Sequence, residues 1–291
     1  MVTVVPQEVY LNGEFVPADE ARVPVLDRGF LFGDGVYELM PVYRGQAFRL
    51  DEHLARLSRS LFEISIPDPY VSARWIQVLS ELIERAGAGD LLVYWQVTRG
   101  VAPRDHAFPR DIEPTVFAMT SALPQPAPEQ LARGVKAVTR ADTRWQRCDI
   151  KSISLLANVL LRQQAIDAGA AESLLVRDGY VAEGAASNVF VVMDDVIVTP
   201  PNSASLLPGV TRDLILELAA ADGLAHEQAR IREHSLRDAQ EIWITSSSRE
   251  VLPVTILDES PVGDGLPGPQ WKRVHALYQN YKCEFAARKS A

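Results

Sequence analysis

Cysteine is nearly missing from this chain. Only Cys148 and Cys283 occur among its 291 residues, too few for a disulfide framework, and the five histidines show no ligand-type spacing with them. No metal is expected. Long apolar runs are also missing: no stretch approaches the roughly 18 residues that a membrane span needs. The opening Met-Val-Thr-Val-Val-Pro has neither a basic region nor a leader-length apolar segment, so a cytoplasmic protein is expected. Basic clusters are lacking too, and the net charge is −9. That excludes a nucleic-acid partner, which needs clustered Lys and Arg to neutralise phosphates, and leaves any anionic substrate to local basic residues. There is no repeat and no low-complexity segment.

What remains is an ordinary globular composition, 47% hydrophobic and 23% charged, with room for two domains. The proline-dense Ser-Ala-Leu-Pro-Gln-Pro-Ala-Pro at 121–128 disfavours both helix interior and central strand, and marks a linker over 121–133. A small N-terminal domain (1–120) and a larger C-terminal domain (134–291) follow. Asn12-Gly13 between apolar runs predicts a hairpin over 9–16. Helices are expected near 51–64, 72–86, 155–168, 211–222 and 269–287. Strands are expected near 91–98, 114–120, 135–140, 173–177, 189–193, 196–199, 228–232 and 241–245. The fold class is therefore mixed α/β (α+β).

One lysine stands out chemically. Lys151, in Arg-Cys-Asp-Ile-Lys-Ser at 147–152, sits between apolar neighbours where an extended run gives way to a helical one. An amine there could act as a nucleophile, because desolvation lowers lysine pKa readily. Glu183 precedes Gly184, Ala185 and Ala186, small residues that leave room for a flat ring; a carboxylate at a pyridine nitrogen favours the protonated ring and its role as electron sink. Val210 and Thr211 follow Leu-Leu-Pro-Gly at 206–209 and open a strongly helical run, so their N–H groups suit a phosphate. On helix 51–64, Leu54, Leu57, Leu61 and Ile64 form an apolar stripe, while His53, Arg56 and Ser60 form a polar one. Taken alone, each of these has a plain structural reading: a solvated lysine, a loop carboxylate, a helix cap, a surface arginine.

Together they closely resemble the lysine and glutamate motifs of the class IV (fold type IV) aminotransferases, the group that includes D-amino acid, branched-chain and aminodeoxychorismate-cleaving enzymes. The resemblance runs from the Tyr10 hairpin to Ser248. It implies a two-domain fold type IV architecture, pyridoxal 5'-phosphate as cofactor, and a homodimer. By resemblance Lys151 is the Schiff-base lysine and the proton carrier, and Glu183 contacts the ring nitrogen. Leu207 lies under the ring, and Arg56, Val210, Thr211, Ser246 and Ser247 serve the phosphate. The Gly-Asp-Gly-Val-Tyr-Glu stretch at 33–38, a tight turn on its own reading, matches a family signature whose tyrosine, here Tyr37, faces the substrate. Arg104 and His106, two apart and on the same side if the loop is extended, match a D-amino acid aminotransferase pair. That pair reaches across from the second subunit to the substrate α-carboxylate. Alanines at 185 and 186, where that branch often has serines, depart from its pattern. The resemblance implies D-alanine with 2-oxoglutarate as the substrate type. A branched-chain L-aminotransferase, favoured by Leu-Leu-Pro-Gly-Val-Thr-Arg-Asp at 206–213, an (R)-amine transaminase and a catalytically silent pyridoxal-phosphate-binding protein are the alternatives.

Overall fold

The computed structural model describes residues 7–87 and 89–287; the Met1–Pro6 start, on which the leader expectation rests, lies outside them. The described chain divides into two compact units. One is the chain up to Leu123 together with Ile150–Ser154; the other is Pro124–Asp149 with Leu155–Ala287.

In the first unit, β1 (Glu8–Leu11) and β2 (Glu14–Pro17) form the expected hairpin, with Asn12 and Gly13 at φ 49° and 107°. A short helix α1 (Arg28–Phe32) ends on Gly33, whose φ of 66° lets the chain reverse into β3 (Gly35–Tyr43) and β4 (Gln46–Ala47). The glycine-rich stretch is thus a capped helix followed by a strand, not merely a turn. Helices α2 (Leu50–Glu63) and α3 (Ser72–Ala86) precede β5 (Leu91–Thr98) and β6 (Thr115–Ala122). The six strands run in the order β2-β1-β6-β5-β3-β4. Leu54, Leu57 and Leu61 of α2 and Trp75, Leu79 and Leu82 of α3 pack with Met40, Val93 and Trp95 in one core.

The second unit begins with α4 (Pro128–Arg133), inside the stretch expected to be a linker. Pro128 is tolerated there because the first helical turn has no partner for its missing N–H. There follow β7 (Val135–Ala141), α5 (Leu156–Asp167), β8 (Glu172–Arg177), β9 (Tyr180–Gly184), β10 (Asn188–Met193), β11 (Val196–Thr199), α6 (Val210–Ala221) and β12 (His226–Gln228). The chain closes with β13 (Glu241–Ser246), β14 (Glu250–Leu257), β15 (Ser260–Pro261) and α7 (Pro269–Ala287). Eight strands run β12-β11-β10-β13-β14-β7-β8-β9, with β15 on β14. The strand expected over 228–232 is displaced: β12 pairs with β11 through His226, Glu227 and Gln228, and of residues 229–232 only Arg232 bridges a strand, at Tyr180. Periodicity misplaced it because Ile231 is buried without belonging to a ladder.

Candidate active site

The Lys151 segment lies alongside β3. Tyr37 N–H donates to the Lys151 carbonyl (2.9 Å), Ile153 N–H to the Gly35 carbonyl (3.0 Å), and Val36 bridges Ser152. Two motifs more than a hundred residues apart are thereby joined by backbone hydrogen bonds. Gly35 is needed there: a Cβ would stand 2.6 Å from the Val97 carbonyl oxygen. The Lys151 ammonium nitrogen sits 4.2 Å from the Tyr37 ring centroid, a cation–π arrangement, and Tyr37 stacks on Tyr94 at 5.5 Å. Lys151 N–H donates to Ser60 Oγ on α2 (3.3 Å). The structure therefore brings Lys151 and Tyr37 together.

Behind them lies a buried ionic group that the sequence reading missed. Alternation along β3 puts Tyr37 on one face and Val36, Glu38 and Met40 on the other, so the Glu38 carboxylate enters the apolar interior. It is fully buried and meets the polar stripe of α2: Arg56 Nε and Nη2 donate to its two oxygens (2.8 and 2.7 Å), and His53 Nδ1 lies 2.8 Å from Oε2. Burial works against the Glu38 charge, but Arg56 and His53 outweigh it and hold the carboxyl well below its usual range. His53 is lowered as well. Burial lowers its pKa, assisted by Arg56 and Lys151 and opposed by Glu38, so the imidazole is neutral near pH 7 and its Nδ1–H donates to the carboxylate. The signal was present: a charge on the apolar face of an alternating strand, with a polar stripe on the following helix to match it.

In the second unit Glu183 is the penultimate residue of β9. Arg144 Nη1 donates to its Oε1, while Asn188 Nδ2 (3.2 Å) and Leu207 N–H (3.0 Å) donate to Oε2. Arg144 in turn forks onto Asp142 through Nε and Nη2 (2.9 and 3.0 Å) and donates to the Ser205 carbonyl (3.1 Å). Burial disfavours the Arg144 charge, but Asp142 and Glu183 more than offset it and keep it a fixed cation. Asn188 also donates to the Leu207 carbonyl (2.8 Å), so one amide ties Glu183 to Leu207. The turn after Glu183 is close-packed: a Cβ at Gly184 would stand 2.2 Å from Ser187 Oγ, and Ser187 donates to buried Glu172 (3.0 Å). Arg144, Asn188 and Glu172 were not foreseen. Polar residues inside strands and loops carry no periodic signal.

Helix α6 starts at Val210 with Gly209 as its cap and no capping side chain, which leaves the N–H groups of Val210 and Thr211 without intrahelical acceptors. Gly209 cannot be larger, since a Cβ would lie 1.9 Å from Asn188 Oδ1. Ser246 closes β13 and Ser247 enters the turn after it; beside them the buried hydroxyl of Thr245 has no hydrogen-bond partner among the described residues. Arg104 and His106 are exposed and share one neighbour, the Phe32 ring: the Arg104 guanidinium is 5.4 Å and the His106 ring 5.4 Å from its centroid. Both therefore lie against Phe32, in a loop that bends at Arg104 and His106 and is not the extended segment on which a shared direction was expected.

A family model described as amino-transferase class IV matches residues 35–257. The chain belongs to that family. A D-alanine aminotransferase of Bacillus licheniformis is 43% identical over 273 residues, covering 94% of this chain and 96% of the relative. Among solved structures, the Escherichia coli branched-chain amino acid aminotransferase superposes with a TM-score of 0.91 at 25% identity, over 95% of this chain and 94% of the other. A T.th. branched-chain amino acid aminotransferase solved with pyridoxamine 5'-phosphate also gives 0.91, at 26% identity over 96% of this chain and 95% of the other. The fold is thus fold type IV, and the class IV aminotransferase is a transaminase using pyridoxal phosphate. The residues of this chain suit that cofactor: an uncapped helix start and an unpartnered buried hydroxyl offer donors to a phosphate, and a carboxylate fixed by a guanidinium suits a pyridinium.

Proposed function

We propose that the protein transfers the amino group of D-amino acids, D-alanine with 2-oxoglutarate being the substrate type, by a ping-pong reaction. The observation that carries this is the pairing of Arg104 and His106 on one ring in a chain 43% identical to a D-alanine aminotransferase. Likeness to the branched-chain enzymes at 25–26% identity rests on the fold they share.

When bound, pyridoxal phosphate supplies the electron sink that lets a Cα–H bond break heterolytically. Lys151 would hold the cofactor through its amine and, as general acid/base, would take the substrate's Cα proton onto Nζ and return it. Glu183, held by Arg144, Asn188 and the Leu207 N–H, keeps a proton at the ring nitrogen, and Leu207 supports the ring. Arg56, Val210, Thr211, Ser246 and Ser247 take the phosphate, with Glu38 fixing the plane of the Arg56 guanidinium. Tyr37, Arg104 and His106 receive the substrate, the last two through its α-carboxylate.

A homodimer belongs to this reading. Phe30, Val25 and Phe108 on the first unit and Leu156, Val159 and Leu160 on α5 leave apolar surface exposed, 74% and 73% for Phe30 and Leu156. A small domain over 1–120 and a large one over 134–291, joined through 121–133, is supported by the two compact units. Because its substrates are soluble metabolites, the reading also places the enzyme in the cytoplasm.

The test is a spectral titration with D-alanine, L-leucine and (R)-1-phenylethylamine, repeated on Arg104→Ala. D-Alanine should discharge the visible band and L-leucine should not. In Arg104→Ala the half-reaction kcat/KM should fall roughly 10–150-fold for D-alanine and 2-oxoglutarate and much less for the amine, the worth of one charge-assisted contact. Equal losses, or discharge by L-leucine alone, would overturn the assignment.

A further inference from the structure

The carboxylate loop is not free to choose its own shape. Arg28, only 3% exposed, stands beneath it. Its Nη1 donates to the Asp105 carbonyl (2.5 Å) and more weakly to the Ala107 carbonyl (3.4 Å), so one guanidinium grips the backbone on both sides of His106. The chain entering the loop is tied to the same residues: Arg28 N–H donates to the Gly100 carbonyl (2.9 Å) and Ala102 N–H to the Leu26 carbonyl (3.3 Å). Arg28 is itself held. Its Nε donates to Asp34 Oδ2 (2.8 Å), and Asp34 is shared with Arg99, which forks onto both carboxylate oxygens (2.8 and 3.0 Å). Arg99 is anchored in turn on the Ile64 and Ser65 carbonyls at the end of α2 (2.7 and 2.9 Å), and its guanidinium covers the Phe108 ring at 3.7 Å. Burial raises the Asp34 pKa, but the two arginines outweigh it and hold the carboxyl below its ordinary value. Finally, the Phe32 ring faces Arg28 at 4.8 Å as well as Arg104 and His106.

We propose that Arg28 is a positioning residue for the substrate-carboxylate loop, with Asp34 fixing its guanidinium and Phe32 seating Arg104 and His106. This rests on the reading of that loop as the carboxylate trap. A planar fork suits the task because it donates to Asp34 and to the loop carbonyls at once, in a fixed plane, as an ammonium does not.

Arg28→Lys, studied as holoenzyme, keeps the charge and loses the fork. KM for D-alanine and for 2-oxoglutarate should rise roughly tenfold, as expected for a displaced binding group, with kcat at saturation changed less than about threefold. The half-reaction of (R)-1-phenylethylamine should keep its kcat/KM within about threefold. Backbone amides of 104–107 should exchange hydrogen faster, a readout independent of turnover. Unchanged exchange, or equal losses for the amine and the amino acid, would overturn the proposal. Phe32→Leu spares the Arg28–Asp34 pair and serves if the lysine variant does not fold; it should show the same split, and absence of the split would again overturn the proposal. Arg104→Ala separates the two levels. If that variant separates carboxylate substrates from the amine but Arg28→Lys does not, only the positioning role falls; if neither does, the loop reading falls.

Discussion

Neutralising Glu183, or removing its partner Arg144, should cost more than one hydrogen bond. The Arg144, Asp142 and Glu183 side chains are 4%, 0% and 6% exposed, so what is left after a substitution stays out of water. In Glu183→Gln the carboxamide has one acceptor and one donor end, whereas its surroundings supply donors on both sides: Arg144 on one, Asn188 and the Leu207 N–H on the other. Whichever way the amide turns, its NH2 faces another donor. A charge-assisted bond worth about 1.5–3 kcal/mol is weakened and one buried donor loses its acceptor at about 1–3 kcal/mol, so the expected loss is roughly 3–5 kcal/mol. Arg144→Met should lose about as much for a different reason. Arg177 still reaches Asp142 (2.8 Å), but Glu183 keeps only neutral donors among those named above, and breaking a buried pair costs about 3–5 kcal/mol. In the double variant the losses should fall short of additivity by about 1–3 kcal/mol, the coupling typical of contacting residues. The assay is urea unfolding of the cofactor-free protein, so that ligand binding does not add to stability. Single variants within about 1 kcal/mol of wild type, or strict additivity, would refute the buried network. With cofactor present, turnover of Glu183→Gln should fall further than occupancy; equal falls would make Glu183 structural only.

Three other outcomes are expected. Lys151→Ala should lose at least about 10²–10⁴-fold in turnover while still binding some cofactor non-covalently, and near-normal turnover would remove the central claim. Arg56→Ala should release cofactor faster on dialysis and also lower apoprotein stability by about 3–5 kcal/mol, because of the donors named above Glu38 keeps only the neutral His53 Nδ1–H; a stable variant that holds cofactor as wild type does would contradict both roles. His53 carries a folded pKa below its usual 6.5, so on acidification the unfolded chain takes up the proton first, and stability falls from about pH 6.5 down to the folded value. His53→Gln should therefore reduce the stability difference between about pH 7.5 and pH 5.5, the remainder including His275, which burial also lowers; an unchanged pH dependence would show that folding does not shift His53.

Sequence alone determined whatever depends on near neighbours. Period-3.6 stripes gave α2, α3, α5, α6 and α7 within a residue or two; period-2 runs and apolar runs gave most strands, and Asn12-Gly13 gave its hairpin. Local order also made Lys151, Glu183 and the α6 start legible, since their motifs are continuous in the chain. Strand β14 escaped because Pro253 argues against a central strand, although its register opposite Trp243 on β13, with β7 on its other side, accommodates it. Only the tertiary structure decided what Arg56 touches, because its partner Glu38 stands 18 residues away on another element. The same holds for Arg144 at 39 residues from Glu183 and for Arg28 at 77 from Asp105. A buried charge must find its counter-charge wherever the fold supplies one, and sequence spacing carries no trace of that choice.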